Sequence, residues 1–249
     1  MNLVQSLALA TTTTFNFEPE DDVIVDWYKR DCKKNNKSAV VFPKNIVIQK
    51  FTPAQQNAFA EAKRGMLVEE KQKNFMKRLT KGDASETGIV RFLTPILMPK
   101  YGGTIEVKES PDIDNALDQI RANFPIHKDS EGSDFMIPFN SAIKFNLIIR
   151  DMNPAVQNPT TIEDNLTVFL KGAPEKVLKR VSHIKVKDEA GNVYDSPYDA
   201  GAKYETEAAN DRFGLMGERV LAFARIDLDP AAYNKTYQFD TKNWADWDM

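Results

Sequence analysis

An α+β fold, a twisted antiparallel β-sheet flanked by helices, is what this sequence predicts, and three observations predict it. The first half of the chain carries apolar residues at helical spacing, as at Ile89, Phe92, Leu93 and Ile96. The second half carries short runs rich in β-branched and aromatic residues, with little helix between most of them. Between two of those runs, KDEAGNVYD places a Gly-Asn pair of the sort that joins antiparallel strands. Strands in such succession argue for an antiparallel sheet with helices on its faces.

The elements follow in chain order. Residues 2–14 predict a short helix with Leu3, Leu7 and Ala10 on one face. Residues 16–50 read as irregular: an acidic cluster from Glu18 to Asp22, five lysines and arginines from Lys29 to Lys37, then VVFPKNIVIQKF. Such a basic cluster is usually solvated loop, with a docking patch as the functional alternative. Residues 53–80 are helix-rich, with Thr52 as N-cap and Pro53 in the first turn. Gly82 breaks the chain, GDASETGIVRFLTPIL resumes a helical period, and Leu117, Ile120 and Phe124 form a further stripe capped by Asp112 or Asp114. FMIPFN, IKFNLIIRD, LTVFLKG, SHIKVKD, NVYDS and RVLAFARIDL then read as strands, with a helix at about 198–217 before the last. In FLKGAPEKVLKR, Lys171-Gly172 is the turn, Pro174 the first helical residue, and Val177, Leu178 and Val181 the buried stripe.

The 249 residues carry no repeat and no low-complexity linker, which predicts one domain with a real core. A hydrophobic share of 42% with 28% charged residues places the chain among ordinary globular proteins. Its net charge of −3 argues against a general binder of nucleic acid or of anionic membranes. Cys32 is the lone cysteine, so an internal disulfide is excluded and a reducing compartment fits. With two histidines and that one cysteine widely separated, no zinc site is expected. No apolar run approaches the roughly 20 residues of a bilayer-spanning helix. The first residues lack the basic region of a signal peptide, so a cytosolic setting is expected.

Four clusters bear on chemistry. GDASE places Asp83, Ser85 and Glu86 at a helix start, where capping alone accounts for them. IPFNSAIKF combines Phe139 with Lys144: an exposed aromatic can stack on a base and the lysine can meet its polar edge or phosphates, whereas a core phenylalanine beside a snorkelling lysine is the plainer reading. In KGAPE, Gly172 admits close approach of a ligand to the backbone and Lys171 adds charge, or the two merely form a strand–helix turn. In GERVLAFA, Arg219 can fork onto a phosphate or pair with Glu218 or Asp211 at the surface. The sequence has no GxxxxGK[ST] loop, no GxGxxG after a strand, no GxSxG, no HExxH and no kinase catalytic loop.

In this order the four clusters resemble the nucleotide-binding (N) domain of P-type cation-transporting ATPases, closest to the sodium/potassium- and proton/potassium-pump branch. KGAPE is the family's best-known N-domain motif, and YQFDT (Tyr237 to Thr241) matches the stretch that leads back toward the phosphorylation domain. The resemblance covers 82–98 and 135–241 well and 1–14 loosely, with about 16–81 as a lineage-specific insertion and hinge-proximal ends at about 1–5 and 238–249. It implies that Phe139 stacks on adenine, that Lys144 and Lys171 line the pocket, and that Gly172 and Ala173 form its floor. It also implies Glu86 at the adenine's polar edge, Arg219 at the phosphates and Leu221 beside the base. Asn146 stands where this branch has glutamine, which keeps the amide and shortens its reach.

By the same resemblance the chain is a single N domain cut from a longer pump, without DKTGT and without membrane helices. It is expected to bind ATP, to hydrolyse none alone, and to need no Mg2+ of its own, since the metal in the full pump sits with the phosphorylation domain. Its partners are then the phosphorylation and actuator domains of the same chain, in the cytoplasm at the plasma membrane, with no nucleic acid and no direct membrane contact expected and the domain alone a monomer. The alternative is a binding or regulatory module that keeps the fold without an effective nucleotide site. A further alternative is an unrelated α+β enzyme using Glu86 and Asp83 as an acid/base pair.

Overall fold

The computed structural model describes residues 3–12, 19–72, 80, 84–97, 113–129 and 131–239. The helices are α1 (Leu3–Leu9), α2 (Asp21–Lys34), α3 (Pro53–Gln72), α4 (Ala84–Leu97), α5 (Ile113–Asn123), α6 (Pro174–Val177) and α7 (Ala200–Leu215). The strands are β1 (Met136–Ile137), β2 (Phe145–Asp151), β3 (Leu166–Gly172), β4 (His183–Lys187), β5 (Val193–Pro197) and β6 (Ala222–Asp227). The chain divides into two compact units, Met1–Thr11 with Asp118–Met249, and Thr12–Leu117.

The first unit is built on a four-stranded antiparallel sheet in the order β1-β2-β3-β6. β2 and β3 pair from Phe145 opposite Gly172 to Asp151 opposite Leu166. Having a strand on either side, they are buried along nearly their whole length, and most of their residues are apolar. On one face, Phe145, Leu147 and Ile149 meet Leu166, Val168 and Leu170, and Phe135, Ile137 and Val177 complete a core. Each such side chain is worth about 1.5–3 kcal/mol on full burial. β4 and β5 form a separate hairpin, its turn closed by Asn192 N–H donating to Asp188 Oδ1 at 2.7 Å and by Gly191 at φ +89°.

The other face of the sheet is partly polar. Asn146, Arg150, Thr167 and Lys171 are each no more than 5% exposed. Arg150 donates from Nε to the Leu9 carbonyl and from Nη1 to the Phe124 carbonyl, both at 2.8 Å. One guanidinium thus satisfies free carbonyls at the C-terminal ends of α1 and α5. Burial, and behind it the Arg121 charge, brings the Arg150 pKa down to about 10. At the end of α1, Ala8, Leu9 and the following Ala10 are buried, while Leu7 of the expected stripe is half-buried; the side chain of Leu3 lies outside the described residues.

The short helix α6 opens on Pro174 as predicted, but lasts four residues before a 3-10 turn at Leu178–Arg180. Val177 is fully buried, while Leu178 and Val181 are half-buried. α7 is capped by Asp199 Oδ1, which accepts from Ala202 N–H at 2.9 Å. It ends at Gly217 (φ +77°), where Glu218 N–H donates to Phe213 O at 3.0 Å.

The second unit corrects the reading of 16–50 as irregular. Residues 21–34 are the helix α2, with Ile24, Val25 and Cys32 buried. Asp21 and Asp22 fill its first turn and Lys33 and Lys34 its last, which suits the helix dipole. The lysines and arginines of the basic cluster are exposed as expected, but those from Lys29 to Lys34 stand on the wet side of an amphipathic helix rather than in a loop, and its few apolar residues are outnumbered by charges in the sequence. α2 packs on α3 around Phe42, Phe51, Phe59, Ala62 and Met66. Phe42 and Phe59 both stand edge-on to Phe51, with centroids 5.3 and 5.7 Å away. At the start of α3, Thr52 N–H donates to Gln55 Oε1 at 2.9 Å and Gln55 N–H returns to Thr52 Oγ1 at 3.4 Å, a capping box on the residue expected to cap.

α4 is rotated from the expected stripe. Glu86, Val90, Leu93, Thr94 and Leu97 are buried, whereas Phe92 and Ile96 are exposed. Two polar residues can face inward because both are satisfied: Thr94 Oγ1 donates to the Val90 carbonyl at 2.6 Å, and Glu86 accepts from Thr12. The capping roles read for Asp83 and Asp112 lie outside the described residues, and so does the side chain of Asp114.

Candidate functional site

Strand register gathers three chain segments at one end of the sheet. Phe145 opens β2 opposite Gly172, the last residue of β3, and Gly172 lies opposite Ala222, the first of β6. The 138–144 loop, the β3–α6 junction and the 217–221 lead into β6 therefore share that end. Phe139 and Lys144 lie in the first, Lys171, Gly172 and Ala173 in the second, and Arg219 and Leu221 in the third.

Phe139 is 59% exposed, so it is not the core phenylalanine of the plainer reading. The loop that carries it is fixed by Asn140, whose Oδ1 accepts from the N–H groups of Ala142 and Ile143 at 3.0 Å and whose carbonyl accepts from Lys144 N–H at 2.8 Å. Lys144 sits at φ +59°, a conformation that a side chain disfavours and that these bonds sustain. Its carbonyl accepts from Ala173 N–H at 2.9 Å, tying the loop to the β3–α6 junction. Gly172 is required where it stands. A Cβ there would press on the Lys144 carbonyl and fall 2.5 Å from Phe145 Cβ.

Asn146 and Lys171 are cross-strand partners on the partly polar face, each 5% exposed. Asn146 Oδ1 is buried without a hydrogen-bond partner. A buried acceptor in that state costs about 1–3 kcal/mol, and a donor on a ligand would recover it. Lys144 Nζ stands 3.4 Å from Glu175 Oε1, the side chains 51% and 54% exposed. Arg180 adds positive charge nearby, its guanidinium 5.0 Å from the centre of the Phe145 ring. Ala173 and Leu221 are half-buried. Arg219 is exposed, and among the described residues no hydrogen bond or ion pair holds it, so pairing with Glu218 or Asp211 does not account for it.

Glu86 belongs to the second unit, where it is 3% exposed. Its Oε2 accepts from Thr12 N–H at 3.0 Å and from Thr12 Oγ1 at 3.2 Å. An open hollow beside Arg219 is lined by Asn210, Asp211, Gly214, Leu215, Glu218 and Val220. Its two carboxylates make it a poor place for a polyphosphate. Two contributors were not singled out from sequence, Asn140 and Glu175. Both stand inside quoted motifs, and an asparagine after Pro-Phe is a turn signal in its own right.

Residues 58–248 match the family described as P-type ATPase, cytoplasmic domain N. Potassium-transporting ATPase alpha chain 1 of Xenopus laevis is 31% identical over 166 residues, which is 67% of this chain and 13% of that protein. Potassium-transporting ATPase alpha chain 2 of Oryctolagus cuniculus is 30% identical over 168 residues, 68% of this chain and 12% of that protein. The chain thus spans about an eighth of the length of these relatives.

Proposed function

This chain belongs to the family of P-type ATPase cytoplasmic N domains, and from that premise we propose that it binds ATP and presents it to the phosphorylation domain of a cation pump. The observation that carries the reading is the shared register of Phe145, Gly172 and Ala222, since it puts seven of the nine expected residues in segments at one end of one sheet. Asn146, the eighth, lies one step inside as the cross-strand partner of Lys171, so the buried amide oxygen and that lysine lie side by side. Phe139 stacks on the adenine, a contact worth about 1–3 kcal/mol. Lys144, Lys171 and Arg219 attract the triphosphate, Gly172 and Ala173 form the floor, and Leu221 packs beside the base. Glu86 serves the adenine's polar edge once released from Thr12. These contacts correspond to a micromolar to millimolar site, a span of about 4 to 8 kcal/mol.

In this reading phosphoryl transfer takes place on the phosphorylation domain, which also holds Mg2+. The N domain is single, carries an insertion at about 16–81, and acts in the cytoplasm at the plasma membrane as part of a transporting chain. Alone it is a monomer that binds ATP without turnover, equally well in excess chelator. The test is a two-dimensional NMR titration with ATP. Saturable shifts clustered at 138–146, 171–173 and 219–221, lost in a folded Phe139→Ala variant, support the proposal. Absence of shifts at millimolar ATP overturns it. That second result would favour a binding or regulatory module, the reading to which the Glu86–Thr12 contact lends weight.

A further inference from the structure

The Lys144–Glu175 contact joins a lysine of the expected pocket to a carboxylate that the nucleotide-binding reading leaves unused. We propose that Glu175 is a built-in competitor of the phosphates: in the empty domain it holds Lys144, and ATP must displace it. The inference rests on the nucleotide-binding reading and adds a regulatory residue to it.

The geometry favours a fixed gate over a chance encounter of two surface side chains. Lys144 is anchored at φ +59° by the Asn140 turn, and its carbonyl takes the Ala173 N–H, so its side chain leaves the backbone in a set direction. Glu175 is two residues beyond Ala173, in α6, whose Val177 is fully buried in the core. Both backbones are therefore held in place, and the 3.4 Å pair forms between two positioned stems. Both heads remain half-exposed, so the pair is weak and water or a phosphate can replace either partner. A carboxylate at this end of the sheet also opposes the approach of a polyanion. Lys144 in turn cannot serve Glu175 and a triphosphate at full strength together.

The experiment is a double-mutant cycle read by calorimetric ATP titration at low and at moderate salt, on the whole 249-residue chain. Glu175→Gln is expected to tighten ATP binding by about two- to five-fold at low salt, the range an exposed pair allows, and by less at moderate salt. In a Lys144→Met background the same Glu175→Gln change is expected to give no gain. An equal gain in both backgrounds overturns the proposal, because Glu175 would then act only through its general field. No gain in either background also overturns it. A wild-type chain that binds no ATP brings down the nucleotide-binding reading and this inference with it, and is told apart from the other failures by the wild-type titration alone.

Discussion

A methyl group added at Gly172 would fall 2.5 Å from Phe145 Cβ and 2.6 Å from Phe145 Cα, and neither atom is the free end of a flexible side chain. Gly172→Ala therefore forces the start of β2 away from the end of β3. We expect a loss of about 1–3 kcal/mol in urea unfolding, with ATP shifts weakened at Lys144 and Lys171 even where the domain stays folded. That a glycine belongs at this junction was legible, but the reason for it was not. Sequence suggested room for a ligand, whereas the structure shows room for the neighbouring strand. Phe139 illustrates the opposite limit. Whether a phenylalanine is core or surface depends on the loop that carries it, and Asn140 sets that loop by local hydrogen bonds that hydropathy does not register. The inward turn of Glu86 was hidden for a related reason. Its burial is made possible by Thr12, 74 positions away.

At the scale of elements, Lys235 stitches the segment after β6 to the loop after β2. Its side chain is 8% exposed, with Nζ 2.6 Å from Asp151 Oδ1, 2.5 Å from the Asn153 carbonyl and 2.7 Å from the Val156 carbonyl. Lys235→Met leaves the Asp151 carboxylate, 17% exposed, with the Asn153 N–H at 3.0 Å but without its positive partner. A cost of about 3–5 kcal/mol is expected for that broken pair, read as a fall in the urea midpoint. Adding Asp151→Asn should recover part of the loss, which separates the stranded charge from lost packing. All six strands were legible from β-branched and aromatic content, and so was the Gly191-Asn192 turn. α2 was not, because its charges outweigh its apolar stripe, and a helix of that kind becomes evident only when α3 is there to cover Ile24 and Val25. The α4 stripe misled in the same way: apolar residues were counted, and the satisfied polar residues that took their places were not.

For the whole molecule, acid is the direction of weakness in the first unit. Burial pushes the His127 pKa below its ordinary 6.5, against the raising pull of the Tyr237 carbonyl and Asp151. The fold thus prefers the neutral ring and the unfolded chain takes the proton first. That part of the stability is present above about pH 6.5 and is lost as the pH falls through it toward the lower folded value. Asp164 adds to it at lower pH, since hydrogen bonds from Asn153 and Thr161 hold its carboxyl below the usual range. The melting temperature should fall between about pH 7 and about pH 5, and His127→Gln should flatten that slope. A slope unchanged in the variant would remove His127 from the account. The discontinuity of this unit has a different consequence, one of timing. Leu9, the acceptor for Arg150, leaves the ribosome 141 residues before its partner. At about 5–20 residues per second, α1 waits roughly 7 to 28 seconds for the strand that carries Arg150, while every residue of the second unit's core is made in between. The helix α1 thus gains this tie only after β2 is made, and a nascent chain stalled before β2 would carry the Leu9 carbonyl without the Arg150 guanidinium.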